Sequence, residues 1–325
     1  MAKGSLIEQL DQAVEAMLAN RAAPLPQVNA RLASALRVAA ELRQLPRADF
    51  KARLKRDLER KASMTTAAVK PIREGFHTIT PYLIVREAAE LIDFVKQAFG
   101  ARELYRGTGS AGGIHAEVMI GDSMVMIGGG EKLDRASMPA VLHLYVKEAD
   151  AVYECALKAG GTVLREPADQ PYGDREASVK DQAGNYWYIA THKATGHMPE
   201  GLRSITPYLH PRGAPRMIDF LQRAFGAEET FRAQSPDGVI HHATVRLGDS
   251  TIAMGEAHGE AQPMPTTFFM YVDDVDSLYR RAVKAGANSQ MEPADQPYGD
   301  RVAGVKDPFD NVWYIATHIS DAPVP

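Results

Sequence analysis

The stretch DQPYGDR occupies residues 169–175 and occurs again, letter for letter, at residues 295–301. Three more phrases repeat at the same spacing of 126 residues (169 to 295): ITPYL at 79 and 205, AFGA at 98 and 224, and WYIATH at 187 and 313. A further pair, IGDS at 120 and LGDS at 247, is displaced by one more residue. Self-similarity at a fixed spacing indicates a duplicated unit, so the chain contains two copies of one domain of roughly 115 residues.

Each copy follows the same order of predicted elements. The first strand is predicted at 79–85, and the helix after it, with an apolar stripe that includes Leu91 and Phe94, ends at Gly100. The other strands of this module are predicted near 103–106, 114–120 and 124–127. The order then restarts, with strands at 141–146, near 163, at 177–180 and at 186–191 around a second helix. The chain is therefore predicted to be α+β, with two βαβββ modules per copy and four in total.

The first 70 residues belong to neither copy. Ser5 and Glu8 have the spacing of a capping box, and prolines divide the segment into three predicted helices, followed by a linker at 62–75. The segment carries 13 basic and 7 acidic residues, which interleave at 50–61 as on a solvated helix face rather than forming a nucleic-acid-binding arm. The predicted units are a helical segment at 1–70, a first domain at 76–193 and a second at 202–319.

Composition excludes several classes of protein. No apolar run reaches the roughly 18 residues that a membrane span needs, and the first residues lack the apolar region of a secretory signal. The single cysteine, Cys155, cannot form an intramolecular disulfide, which fits a reducing, cytoplasmic location. We therefore expect a cytoplasmic protein with a small-molecule partner and no membrane or nucleic-acid partner.

The βαβββ order, the strand ITPYLIV and the ending D-x-x-x-N-x-W-Y-I-A-T-H resemble the vicinal-oxygen-chelate superfamily. This is the glyoxalase, bleomycin-resistance and dioxygenase class, and the resemblance is greatest to its PhnB-like branch. It covers roughly residues 77–318 and does not include the N-terminal helices. It implies that paired modules form two half-open barrels, each around a cleft. It also implies either metal-free binding of a small molecule or catalysis on a divalent metal held by His and Glu.

The resemblance implies four metal-ligand positions in each copy. They fall on Thr80, Met126, Val141 and Tyr188 in the first copy and on Thr206, Ala253, Thr267 and Tyr314 in the second. None of these side chains is the carboxylate or imidazole that a divalent ion requires. No metal ligand and no cofactor are therefore predicted, with a divalent metal as the alternative. One relocated set, His115, Glu117 and His143, remains open in the first copy.

Strand alternation predicts which side chains face a cleft. At 114–120 the apolar residues face the helices, which leaves His115 and Glu117 facing the cleft, and His242 occupies the equivalent position in the second copy. His115 and His242 are the candidate catalytic residues, because imidazole moves protons near neutral pH, although a structural hydrogen bond is the alternative. His143 is also predicted to face the first cleft. The two tryptophans, Trp187 and Trp313, alternate away from the clefts and are predicted to be core.

An aromatic lining completes the predicted ligand sites. It consists of Tyr82, Tyr186 and Tyr188 in the first copy and Tyr208, Phe269 and Tyr314 in the second. Aromatic walls with a few polar groups suit a flat organic ligand, although core packing is the alternative. Arg175 and Arg301, after the two Pro-Tyr-Gly turns, are candidates to bind an anion or, alternatively, to brace the turn through a salt bridge.

These observations leave three functions open. The first is a metal-free protein that binds a small aromatic or amphipathic molecule in its clefts, and the absent ligand set favours it. The second is a lyase, isomerase or dioxygenase of the superfamily, with a non-standard metal site or with His115 and His242 as general bases. The third is docking of a partner through the N-terminal helices. The chain is expected to be a monomer with intrachain domain pairing or a homodimer, and module swapping between the copies is left open.

Overall fold

The computed structural model describes residues 69–109, 112–130, 133 and 136–321. The predicted N-terminal helices therefore lie outside the described residues, as does the first half of the predicted linker, residues 62–68. No helix within the described ranges is long and apolar enough to cross a bilayer.

The described residues form the four βαβββ modules that the sequence predicts. Module 1 consists of β1 (Ile79–Val85), α1 (Ala88–Phe99), β2 (Arg102–Thr108), β3 (Ile114–Ile120) and β4 (Ser123–Gly129). Module 2 consists of β5 (Val141–Tyr145), α2 (Ala149–Lys158), β6 (Thr162–Asp169), β7 (Asp174–Lys180) and β8 (Tyr186–His192). Module 3 consists of β9 (Ile205–Leu209), α3 (Ala214–Phe225), β10 (Glu228–Gln234), β11 (Ile240–Leu247) and β12 (Ser250–Met254). Module 4 consists of β13 (Thr267–Tyr271), α4 (Val275–Lys284), β14 (Asn288–Asp295), β15 (Asp300–Lys306) and β16 (Val312–His318).

Each sheet joins one module of the first copy to one module of the second. Sheet A has the strand order β14-β15-β16-β13-β1-β4-β3-β2, and sheet B has the order β10-β11-β12-β9-β5-β8-β7-β6. The central pairs are antiparallel, with Thr80 opposite Phe269 in sheet A and His143 opposite Thr206 in sheet B. The structure thus answers the open question of swapping: modules 1 and 4 share one sheet, and modules 2 and 3 share the other.

The helices cover one face of each sheet. The hydrophobic cores beneath them are arranged by sequence copy, one core for each copy. One buried cluster combines α1 and α2 with strands of modules 1 and 2, and a second does the same for modules 3 and 4. Trp187 and Trp313 are fully buried in these cores, as predicted. The opposite, helix-free faces of sheets A and B are called cleft A and cleft B below.

The repeated Gly-Asp-Ser turns connect the two sheets. The turn between β3 and β4 accepts two backbone N–H groups at the start of β9: Asp122 Oδ1 from Ser204 at 2.8 Å and Ser123 Oγ from Ile205 at 3.0 Å. The equivalent turn between β11 and β12 does the same for β1, where Asp249 Oδ1 accepts the N–H of Thr78 at 2.8 Å. These reciprocal contacts explain why IGDS and LGDS occur in both copies.

Candidate functional site

The sheet pairing regroups the predicted cleft residues. Cleft A contains Tyr82, His115, Glu117, Phe269 and Tyr314, and cleft B contains His143, Tyr188, Tyr208 and His242. The hypothesis that His115, Glu117 and His143 form one metal site is therefore wrong. The reason is that β5, which carries His143, pairs with β9 rather than with any strand of module 1.

Cleft A is filled by the chain itself. Residues 71–76, here called strap A, lie against it, with the Pro71 carbonyl accepting the His318 N–H at 3.0 Å and the Phe76 ring 5.5 Å from that of Tyr271. The buried cluster on this face consists of Phe76, Met124, Met126, Phe269, Tyr271, Val302 and Ala316. Ile72, which lies within the predicted linker, thus packs against a buried core.

The charge in cleft A is neutralised internally. Arg73 of strap A forms an ion pair with Glu117 and lies over the Phe76 ring, 4.2 Å from its centroid. Burial raises the pKa of Glu117, but hydrogen bonds from His115 and Arg73 outweigh it and hold this pKa below its usual range. His115 itself is bonded through Nδ1 to the Tyr82 hydroxyl at 3.0 Å. Glu117 is therefore a charged carboxylate whose partners come from the protein.

Cleft B contains a buried His–Glu pair that the sequence analysis did not identify. His143 Nε2 lies 2.9 Å from Glu176 Oε2, and the Tyr172 hydroxyl donates to the same oxygen at 3.1 Å. Arg165 Nη1 is 3.5 Å from the other carboxylate oxygen. His143 is 9% exposed and Glu176 is 5% exposed. A buried carboxylate is thus held between an imidazole, a phenol and a guanidinium.

A continuous row of rings crosses cleft B from this pair. The His143 and Tyr188 rings are 6.3 Å apart, those of Tyr188 and Tyr208 are 6.1 Å apart, and the Tyr208 hydroxyl lies 3.1 Å from His242 Nδ1. His210 packs on Tyr208 with ring centroids at 4.8 Å. Burial lowers the pKa of His242 and lowers that of His210 to about 4, so both imidazoles are neutral at pH 7.

Arg175 and Arg301 are engaged on the helix side of the sheets. Arg175 donates to Asp150 on α2 at 2.9 and 2.8 Å, and Arg301 donates to Asp276 on α4 at 2.7 and 2.8 Å. Because the neighbouring Glu176 faces cleft B, strand alternation directs Arg175 to the opposite face. The geometry corresponds to the bracing salt bridge and does not bring either arginine into a cleft.

The side chains at the family's metal positions do not fit a divalent ion. Thr80 and Thr206 are buried on the cleft faces, opposite Phe269 and His143. Within the described ranges, no group of three or more His, Cys, Asp and Glu side chains is arranged to hold a metal. The described residues of the two clefts therefore do not supply the donor set of the superfamily's metal enzymes.

Comparisons with known proteins agree with this fold. Two segments, 75–189 and 211–315, match the family model described as Glyoxalase/Bleomycin resistance protein/Dioxygenase superfamily. Glyoxalase I from Zea mays superimposes with a TM-score of 0.57 at 15% identity, covering 73% of this chain and 92% of the maize chain, which shows the fold alone.

The relatives that are similar in sequence include the following two. An uncharacterized protein of Mycobacterium tuberculosis is 38% identical over 122 residues, which are 34% of this chain and 72% of that protein. The anthracycline biosynthesis protein DnrV of Streptomyces peucetius is 27% identical over 188 residues, 54% of this chain and 65% of that protein. The chain has four modules, each of its two sheets combines one module from each copy, and the family model matches both copies. The chain therefore belongs to the glyoxalase/bleomycin resistance/dioxygenase superfamily.

Proposed function

We propose that the protein binds one small aromatic or amphipathic molecule per chain, without a metal, in cleft B. The observation that carries this proposal is the row of rings from His143 through Tyr188 and Tyr208 to His242, with the Glu176 carboxylate at one end. The three last rings of the row are only partly buried. Aromatic walls with a few fixed polar groups suit a flat organic ligand.

The difference between the clefts supports a single site. Residues 197–202, here called strap B, follow the same path as strap A, since the His197 carbonyl accepts the His192 N–H at 3.0 Å. Strap B has Pro199 where strap A has Arg73, and β11 has Thr244 where β3 has Glu117. The buried apolar cluster that fills cleft A has no counterpart in cleft B among the described residues. Within the part of the chain that the structure describes, cleft B therefore has no strap residue or apolar cluster that fills it as cleft A is filled.

The relatives support a small organic ligand. The name of one relative connects that protein to anthracycline biosynthesis, and the family description includes bleomycin resistance. Both names concern small organic molecules.

The test is a thermal-shift screen of flat aromatic compounds on the full chain, followed by calorimetric titration of each hit. We expect one molecule per chain, and we expect Tyr208→Leu in cleft B to weaken binding by about tenfold or more, the equivalent of about 1.4 kcal/mol. The matched variant in cleft A is Tyr82→Leu, which should leave the affinity unchanged. Any of three outcomes would contradict the proposal: two sites of equal affinity, loss of binding in Tyr82→Leu but not in Tyr208→Leu, or a stoichiometric metal that survives dialysis.

A further inference from the structure

Three positions are polar in cleft B and apolar in cleft A. His143, Glu176 and Arg165 correspond, through the repeat, to Phe269, Val302 and Met291. Phe269 and Val302 are buried in the apolar cluster of cleft A, so the fold is stable with apolar residues at these places. Burying a histidine against a carboxylate removes both groups from water, and such a pair is often no more stabilising than apolar side chains of similar size. The fold therefore does not explain why cleft B contains a buried His–Glu pair.

The His143 ring is arranged as a positioned base. Its Nε2 is fixed by Glu176 at 2.9 Å, and a carboxylate partner makes this nitrogen the N–H donor, so in the neutral ring the lone pair lies on Nδ1. No side chain or backbone group of the described residues is hydrogen-bonded to Nδ1. An imidazole held by a carboxylate through one nitrogen and unengaged at the other is the arrangement that accepts a proton from a bound molecule.

A hydrogen-bond donor lies next to this base. The Tyr188 ring stands between His143 and Tyr208, at 6.3 and 6.1 Å, and no hydrogen bond within the described residues engages its hydroxyl. The Tyr208 hydroxyl, by contrast, is paired with His242. Tyr188 can therefore donate to an oxygen of a molecule that contacts His143.

We propose that cleft B catalyses proton transfer at a carbon next to a carbonyl group of its ligand, with His143 as the base. The inference rests on the proposed function, since the ligand must first bind there. The C–H bond breaks, its proton moves to Nδ1, and its electron pair forms the C=C bond of an enolate. The carbonyl oxygen takes the negative charge and accepts a hydrogen bond from Tyr188. Return of the proton to carbon completes an exchange or an isomerisation, without an oxidant or a cofactor.

Glu176 is the positioning residue of this step. It holds the ring in one tautomer and stabilises the imidazolium that forms, as a carboxylate does behind a catalytic histidine. The substrate class is an aromatic carbonyl compound with an acidic C–H, because the rings of Tyr188 and Tyr208 would contact its aromatic part.

The experiment follows hydrogen–deuterium exchange at the α-carbon of phenylacetone and 2-indanone by NMR in D2O, with the full-length protein. Binding of the same probes is measured in parallel by titration. We expect exchange above the buffer rate, and His143→Phe, which copies Phe269, should lower it by about 100-fold or more, the usual contribution of a positioned base. Glu176→Gln should lower the exchange rate at saturating probe while the Kd changes little. The control is His241→Phe, which replaces an exposed histidine next to His242 on β11 and should leave exchange unchanged.

The outcomes separate the two proposals. Probes that bind in cleft B without exchange would overturn the proton-transfer activity and leave the binding function standing. Exchange that persists at the wild-type rate in His143→Phe would overturn the role of His143. If neither the probes nor the aromatic panel binds, the proposed function fails and the activity fails with it.

Discussion

At the scale of single residues, the sequence predicts buried positions better than it predicts their polar partners. Trp187 is predicted to be core and is fully buried, but its indole N–H donates to Asp181 at 2.8 Å, a partner that no periodicity indicates. Glu176 was missed because the predicted strand began at Ala177, whereas β7 begins at Asp174. With the true start, alternation places Glu176 on the cleft face.

Asp181 gives the first prediction. This buried carboxylate accepts hydrogen bonds from the backbone and side chain of Asn185 and from Trp187. Asp181→Ala leaves these buried donors unsatisfied, so we expect the free energy of unfolding to fall by about 3 kcal/mol or more. Urea unfolding measures this loss. Asp150→Ala, which removes an exposed partner of Arg175, should cause no measurable loss, and equal losses in the two variants would contradict the assignment.

At the scale of elements, the strands follow the predicted pattern while the straps do not. The bounds of β1 and β3 match the prediction residue for residue, because β1 is a short, largely apolar run and β3 places alternate apolar residues on its buried face. Strap A carries Ile72, Arg73 and Phe76 without any period, so its packing against cleft A depends on tertiary contacts that a local pattern does not contain.

The Gly-Asp-Ser turn before β4 gives the second prediction. Gly121 has a φ of 60°, and a Cβ there would collide with the Ser204 side chain at the start of β9. Gly121→Ala combines left-handed strain with this clash, whereas Gly238→Ala, at a φ of 88° with open space around it, has the strain alone. We expect Gly121→Ala to cost at least about 1 kcal/mol more than Gly238→Ala, since the strain itself is roughly 1–2 kcal/mol. Thermal unfolding of both variants measures the two losses of stability. Equal losses would contradict the clash with Ser204.

At the scale of the whole molecule, the sequence predicts four modules but not which modules share a sheet. Modules could pair within one sequence copy or between the two copies. Either pairing buries the same alternating strand faces, so hydrophobic periodicity does not distinguish the two. The distinction lies in edge contacts such as β1 with β13 and in the Gly-Asp-Ser turns that hold the two sheets together. Grouping cleft residues by sequence copy therefore placed His143 in the wrong cleft.

The junction between the sheets gives the third prediction. Burial raises the pKa of Asp249, but hydrogen bonds from the Thr78 backbone and from His77 outweigh it and lower this pKa to about 2. Because the folded pKa lies below the unfolded value of about 3.9, the contribution of Asp249 to stability is present above pH 4 and is lost as the pH falls toward 2. We expect Asp249→Asn to be less stable than wild type at pH 6, with the difference shrinking between pH 4 and pH 2.

Denaturant titrations at a series of pH values measure this difference. Asp93→Asn, at an exposed position of α1, serves as the control and should follow the wild-type profile. A difference between Asp249→Asn and wild type that stays constant down to pH 2 would contradict the assignment.

The crossing of modules between copies has a consequence for how this protein evolves. In a dimer of identical chains, any substitution appears in both sites at once, so neither site can lose a residue that the other needs. Here each cleft takes its strands from separate parts of one gene, and Phe269 with Val302 stands in one cleft while His143 with Glu176 stands in the other. Because the two copies are joined in one chain, one cleft can keep apolar residues that support the fold while the residues of the other cleft change independently.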